Sequence, residues 1–127
     1  PQVHQGKLRE ELNVPLVSIT TNSPRFAERQ NDLLASLSST VSAMLGKSER
    51  FVMVKADHNP AMRFGGTAAP LAYVELKSIG LPETRVKSFS SELCRVIADE
   101  LEVFPDRIYI EFTDAPRHLW GWNGGTF

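Results

Sequence analysis

One pattern is written twice along this chain, and it leaves few folds open. A strand-like run, a long amphipathic stretch and a second strand-like run occur between Pro15 and Val54, and again between Leu71 and Phe112. The copies stand at nearly one offset: Pro15 falls against Leu71, and Arg50-Phe51-Val52-Met53-Val54 against Arg107-Ile108-Tyr109-Ile110-Glu111. Each copy reads as a β-α-β unit, and right-handed crossovers put both helices on one face of a single sheet. The expected class is therefore α/β, with two βαβ repeats forming a four-stranded mixed sheet. The other sheet face is left bare although its residues are not uniformly polar, so an obligate oligomer is expected to cover it.

The elements themselves follow from periodicity and punctuation. In Asn13 to Thr21, Val17 and Ile19 alternate with Ser18 and Thr20, and Pro15 stands where a strand needs no ladder donor. Thr21-Asn22-Ser23-Pro24 signals a chain reversal or a helix start. From Phe26 to Leu45, the apolar residues Phe26, Leu33, Leu34, Leu37, Val41, Met44 and Leu45 recur at three- and four-residue steps, while Glu28, Arg29, Asp32, Ser38 and Ser42 fill the opposite face. Gly46 supplies a left-handed stop, and Lys47 sets a cation at the negative helix end. Phe51 to Val54 is the second strand. In the loop from Asp57 to Pro70, Gly65-Gly66 reads as a turn with positive φ, not a phosphate cradle, because no Lys-Ser/Thr and no helix follow it. Leu71 to Lys77 is the third strand, Leu81-Pro82-Glu83-Thr84 opens a second helix with Phe89, Leu93 and Ile97 on its stripe, and Ile108 to Phe112 is the fourth strand. Leu119 to Phe127 carries both tryptophans and is too apolar for a free end.

Composition bounds the function classes. The 127 residues are 42% apolar and 23% charged, enough for one soluble domain with a closed core. Fourteen basic residues against 15 acidic ones, scattered along the chain, exclude the footprint of a nucleic-acid or anionic-membrane binder. A single cysteine, Cys94, excludes an internal disulfide and reads as a packed thiol. His4 has no second ligand at metal spacing, so no metal is expected, and no cofactor motif is present. No apolar run approaches a signal-peptide core or a membrane span, which makes the cytoplasm the default compartment, with release without a signal peptide as the alternative.

Together, Pro15 with Pro24, Leu45-Gly46-Lys47, Phe64-Gly65-Gly66, Lys77-Ser78-Ile79-Gly80, Pro105-Asp106-Arg107-Ile108-Tyr109-Ile110 and Gly121-Trp122-Asn123-Gly124-Gly125-Thr126-Phe127 resemble macrophage migration inhibitory factor and its tautomerase relatives. The match runs over residues 15–127 with a one-residue adjustment before Lys47. It implies a homotrimer whose sheets face a central channel, with sites between neighbouring subunits. It implies Pro15 as the catalytic base, Lys47 and the backbone N–H of Ile79 as holders of a substrate carboxylate, and Ser78 as a lining residue. Tyr109 would come from the adjacent subunit, and Phe51, Trp120, Trp122 and Phe127 would wall in an aromatic ring. The reaction implied is keto-enol tautomerisation of phenylpyruvate-like 2-oxo acids. An α-amine, starting at about 7.7 to 8.0, becomes a usable neutral base when burial among aromatic walls and a nearby Lys47 lower its pKa further. Plainer readings stand beside these: Lys47 as a helix-end cation, Tyr109 as a cross-strand aromatic, Trp122 and Phe127 as oligomer packing.

The sequence departs from the family pattern in places. Val14 precedes Pro15, and an acylated proline nitrogen has no usable lone pair. Residues 1–14 read as an extension: a leader or artificial remnant, or an arm that docks on a partner subunit. Cutting before Pro15 gives an active enzyme; retention gives a blocked trimer that binds proteins, including a receptor, as the cytokine members do; or Pro1 folds back to supply a ring nitrogen. Glu111 replaces a familiar asparagine and would weaken anion binding, and Trp120 replaces a smaller valine and narrows the pocket. Leu71-Ala72-Tyr73-Val74 stands in place of a Cys-x-x-Cys, which rules out thiol-disulfide activity. Dehalogenase and decarboxylase relatives add arginines around the proline, and none is expected here.

Overall fold

The computed structural model describes residues 15–127. The readings placed on the first fourteen residues, among them the docking arm, His4 and the folded-back Pro1, lie outside the described residues.

Strand β1 (Leu16–Thr21) is followed by α1 (Phe26–Leu45), β2 (Met53–His58), β3 (Ala72–Ile79), α2 (Val86–Leu101) and β4 (Ile108–Ala115). The sheet order is β2-β1-β3-β4. β1 and β2 pair in parallel, as do β3 and β4, and β1 joins β3 antiparallel with Leu16 opposite Lys77 and Thr21 opposite Ala72. Each repeat therefore supplies one parallel pair, and the two pairs meet along an antiparallel seam. The sheet is mixed, as the repeat predicts.

Alternation sorts the sheet into two faces. Val17, Ile19, Val74 and Leu76 point to the side where α1 and α2 lie and are wholly buried against Leu33, Leu37, Phe89 and Leu93. Burying such a side chain contributes about 1.5 to 3 kcal/mol relative to leaving it in water, which is why the helical stripes and the strand alternation must meet. Arg29 of α1 donates to the Glu100 carboxylate of α2 at 2.6 Å across the helix pair. None of the helices among the described residues is long and apolar enough to cross a membrane.

Both ends of α1 are built from the residues that punctuate it. Ser23, fully buried, accepts the Arg25 N–H at 3.1 Å and donates its own hydroxyl to the Leu101 carbonyl at 2.6 Å, tying the start of α1 to the end of α2. Gly46 closes α1 at φ 62°, and Ser42 Oγ donates to the Lys47 carbonyl at 2.5 Å. The predicted Gly65-Gly66 turn has φ of 61° and 81°, with Phe64 and Thr67 bridged across it.

Several boundaries differ from the sequence reading, and β2 runs on past Val54 to His58, into the segment read as a loop. β2 starts at Met53 because Glu49–Phe51 coil into a 3-10 turn; α2 starts at Val86 after a second such turn at Glu83–Arg85; β3 and β4 run on to Ile79 and Ala115. The tail folds into a hairpin of β5 (Gly121–Trp122) and β6 (Gly125–Thr126). Its turn residues Asn123 and Gly124 have φ of 51° and 80°, and a two-residue turn with both φ positive matches the twist of the strands it joins.

The second sheet face carries three rows read straight from the register. Met53, Leu16, Lys77 and Thr113 make one; Lys55, Ser18, Glu75 and Glu111 the next; Asp57, Thr20, Tyr73 and Tyr109 the third. Met53 is 65% exposed and Tyr109 66%. Tyr73 donates its phenol to Glu75 at 2.9 Å, which holds the proton and raises its pKa, with burial and the Glu111 charge adding to the shift.

Candidate active site

Pro15 is buried immediately before β1, and its carbonyl accepts the Met53 N–H at 3.1 Å. That bond fastens the head of β1 to the head of β2 and brings the 3-10 turn Glu49–Phe51 alongside. The tail hairpin closes the other flank. Pro15, Leu16, Val52 and Met53 line a cleft of about 500 Å³ with Arg50 and Phe51 from the turn and Trp120, Gly121 and Trp122 from the tail. The Phe51 and Trp122 rings meet edge-on, 6.0 Å apart at 83°, and Phe127 stacks on Trp122 at 5.8 Å and 15°. Such contacts each stabilise by about 0.5 to 1.5 kcal/mol beyond area burial and fix the rings as a wall. Phe127 is one layer behind the cleft; its N–H donates to the Trp120 carbonyl at 3.2 Å.

Of the nine site residues expected from the sequence, the fold thus gathers Pro15, Phe51, Trp120 and Trp122 at one cleft, with Phe127 behind Trp122. Of the others, Ser78 and Ile79 end the strand beside Pro15 with buried side chains, and Lys47 and Tyr109 are outside the lining of this cleft. Ser78 comes opposite Pro15 when the antiparallel register is continued by one pair, but its side chain is buried and its hydroxyl donates to the Ile79 carbonyl at 3.3 Å. Ile79 is buried beside it. Lys47 is half-buried just beyond Gly46 and does not line the cleft.

Tyr109 sits at the far end of the sheet. It pairs with Tyr73, which pairs with Thr20, five positions along the strand from Pro15, or about 16 Å at the rise of a strand. Its ring packs on Phe64 at 4.7 Å and lines a separate hollow of about 340 Å³ with Met62, Arg63 and Tyr73. The loop behind Phe64 is held by Arg107, which donates to the carbonyls of Pro70, Phe64, Ala69 and Thr67 at 3.0 to 3.3 Å and stands 5.2 Å over the Phe64 ring. Glu111 lies on the uncovered face beside Glu75, away from the Pro15 cleft of its own chain.

One expectation is overturned here. An arginine does stand at the proline: Arg50 lines the cleft, its guanidinium 5.1 Å over the Phe51 ring. Nothing local in the sequence distinguishes Arg50 from any surface arginine. It reaches the cleft because the turn ends where Met53 locks onto Pro15, a contact between segments far apart in the chain. The Asn123-Gly124 pair, a hairpin signal that the sequence reading did not use, turns the tail so that Trp122 pairs with Gly125 at the cleft.

Two parallel β-α-β units joined antiparallel, with a proline buried at the head of the first strand in an apolar cleft, define a subunit of the tautomerase superfamily. The chain belongs to the macrophage migration inhibitory factor (MIF) family, whose model matches residues 14–127. It is 34% identical over 115 residues to the macrophage migration inhibitory factor of Meriones unguiculatus, covering 90% of this chain and 99% of that protein. Identity to the homolog from Brugia malayi is 36% over 115 residues, with the same coverage. Among solved structures, the homologue from Prochlorococcus marinus superposes with a TM-score of 0.82 at 43% identity, covering 88% of this chain and 98% of that one. The factor from Trichinella spiralis superposes at 0.83 with 30% identity, covering 88% and 99%.

Proposed function

We propose that this protein is a cofactor-independent keto-enol tautomerase of phenylpyruvate-like 2-oxo acids, with the Pro15 nitrogen as its general base once the Val14–Pro15 bond is cut. The observation that carries the reading is the burial of Pro15 at the head of a cleft walled by Phe51, Trp120 and Trp122. A freed ring nitrogen there loses hydration and shares the cleft with the Arg50 cation, and both disfavour its protonated form, so a neutral base is available near pH 7. It removes a proton from the benzylic C3 of the acid while the C2 carbonyl oxygen takes one from water, giving the enol, and the protonated ring nitrogen returns its proton to solvent; in the reverse direction the protonated nitrogen delivers a proton to carbon as the enol oxygen loses its own to water. The substrate ring lies against the aromatic wall, whose apolar surface excludes water and strengthens any pairing of the carboxylate with a cation.

Lys47 and the Ile79 N–H belong to this reading as holders of the substrate carboxylate and Ser78 as a lining residue, and Tyr109 belongs to it through a homotrimer. Tyr109 is far from its own Pro15, so a neighbouring copy must supply it, and the uncovered face with Met53 and Tyr109 exposed is the surface such a copy would cover. The test compares phenylpyruvate interconversion, followed by enol absorbance, in the 127-residue chain, a chain beginning at Pro15 and its Pro15→Gly variant. The trimmed chain turns over, and the other two fall at least about a hundredfold lower, the usual worth of a positioned base. Equal turnover by the uncut chain refutes Pro15 as the base.

A second reading is favoured by one fact: the Pro15 nitrogen is an amide in the sequence as it stands. A trimer that keeps residues 1–14 would be catalytically silent and act by binding a protein receptor. Uncut protein, isolated without turnover yet saturably binding a receptor, supports it.

A further inference from the structure

We infer that the cleft beside Pro15 is a docking groove for the chain's own residues 11–14, so that the uncut protein is closed to ligands by occupancy as well as by the loss of a basic nitrogen. Such closure needs the uncut chain of the second reading, but neither its receptor nor a basic Pro15. Connectivity is the first ground for it. Val14 is bonded to the Pro15 nitrogen, and Pro15 is buried as one wall of the cleft. Consecutive Cα atoms stand about 3.8 Å apart, so Val14 starts at the groove whatever path the chain takes beyond it. A residue ahead of a proline is kept out of the helical region and in extended backbone. Extended chain sends alternate side chains to one side, which groups Val14 with Leu12 and sets Asn13 and Glu11 opposite.

Chemistry is the second ground. Leu16, Phe51, Val52, Trp120 and Trp122 offer the groove an apolar lining, and Trp122 is still 44% exposed. Leu12 stands three positions ahead of Pro15, about 10 Å of extended chain, a span comparable with the width of a cleft of this size. Val14 and Leu12 both gain by leaving water for that lining. Arg50 is the one charged residue lining the cleft, and no carboxylate among the described residues pairs with it. Glu10 and Glu11 bring two carboxylates to the same mouth. A segment from another copy carries the same side chains, but this one is tethered at the groove and therefore present there at high effective concentration.

Both tryptophans of the protein line the cleft, so intrinsic fluorescence reports its cover. The 127-residue chain is compared with its Leu12→Ser/Val14→Ser variant, which keeps the amide at Pro15, and with Leu8→Ser, a change ahead of the docking segment. Acrylamide, a neutral quencher, quenches the double variant more strongly than the other two. Benzyl alcohol, a neutral aromatic, binds the double variant about five- to tenfold more tightly than wild type, because a site open a fifth to a tenth of the time has its affinity cut by that fraction. Both substitutions lie outside the packed core, so thermal melts of the three chains should coincide.

Equal quenching and equal benzyl alcohol binding in wild type and the double variant overturn the inference, as does the same gain from Leu8→Ser. A difference that vanishes on dilution puts a second copy's segment in the groove and overturns it too. Quenching requires no turnover, so this inference and the tautomerase reading fail separately. Turnover of phenylpyruvate by a chain beginning at Pro15, with wild type and the double variant equally quenched, keeps the enzyme and removes the docked segment. Stronger quenching of the double variant, with no turnover by the trimmed chain, does the reverse.

Discussion

Replacing Arg107 by alanine removes four hydrogen bonds and one ring contact from a single side chain, and the expected loss of stability is about 3 kcal/mol. The bonds from Nε to the Pro70 carbonyl and from Nη1 to the Phe64 carbonyl, both 3.1 Å, are part-buried. Each contributes about 1 kcal/mol net. The two from Nη2, to Ala69 at 3.0 Å and Thr67 at 3.3 Å, face solvent and are worth roughly 0.3 kcal/mol apiece after screening. The guanidinium over Phe64 adds about 0.5 kcal/mol. Arg107→Lys keeps the charge but cannot reach four divergent carbonyls with one nitrogen, so it should recover less than half of the loss. Urea unfolding followed by tryptophan fluorescence measures both variants, at one protein concentration because association shifts the midpoint. A loss within about 0.5 kcal/mol of zero for alanine, or full recovery by lysine, would refute the claim that the fork holds this loop.

Three further outcomes are expected. Gly124→Ala, at φ 80°, should cost about 1 kcal/mol and loosen the hairpin that sets Trp122 in the cleft, whereas Gly125→Ala, whose Cβ would meet the Trp122 carbonyl at 4.0 Å, should be near neutral; paired thermal melts compare them. Leu37→Ala leaves a cavity between α1 and the sheet and should lose about 2 to 5 kcal/mol in denaturant titrations, a value under 1 meaning that the site collapses freely. Burial raises the Cys94 thiol pKa, a bond to Ser90 opposing it weakly, so the folded state holds this proton to higher pH than the unfolded one. The corresponding stability is complete below the free-thiol range near about 8.5 and drains away as pH rises through the shifted value; Cys94→Ser should flatten that decline, and thiol alkylation should show its midpoint displaced upward.

Legibility tracked the range of the interaction. The bounds of α1 were readable because Leu33, Leu37 and Val41 repeat at helical steps and Gly46 stops them, all within one segment. The Gly65-Gly66 turn was readable because only glycine adopts two successive positive φ values cheaply. β2 was started two residues early since Phe51 and Val52 have strand propensity, whereas their amides donate to Ser48 and Glu49 in a 3-10 turn and Phe51 packs on Trp122 from the other end of the chain. Pro15, Phe51, Trp120 and Trp122 were nominated by resemblance and meet at one cleft. Arg50 was passed over because its neighbours in sequence do not report its neighbours in space.

Read alone, the sequence determined the doubled β-α-β plan, the buried stripe of each helix, and a proline leading the first strand, because steric limits on φ and ψ and the periods of helix and strand act over a few residues. The order β2-β1-β3-β4, the arrival of Arg50 at the cleft and the placing of Tyr109 at the far end of the sheet were decided by tertiary structure. Those outcomes depend on which backbone amide meets which carbonyl across strands separated by tens of residues. One such pairing, Met53 to Pro15, sets what surrounds the proline.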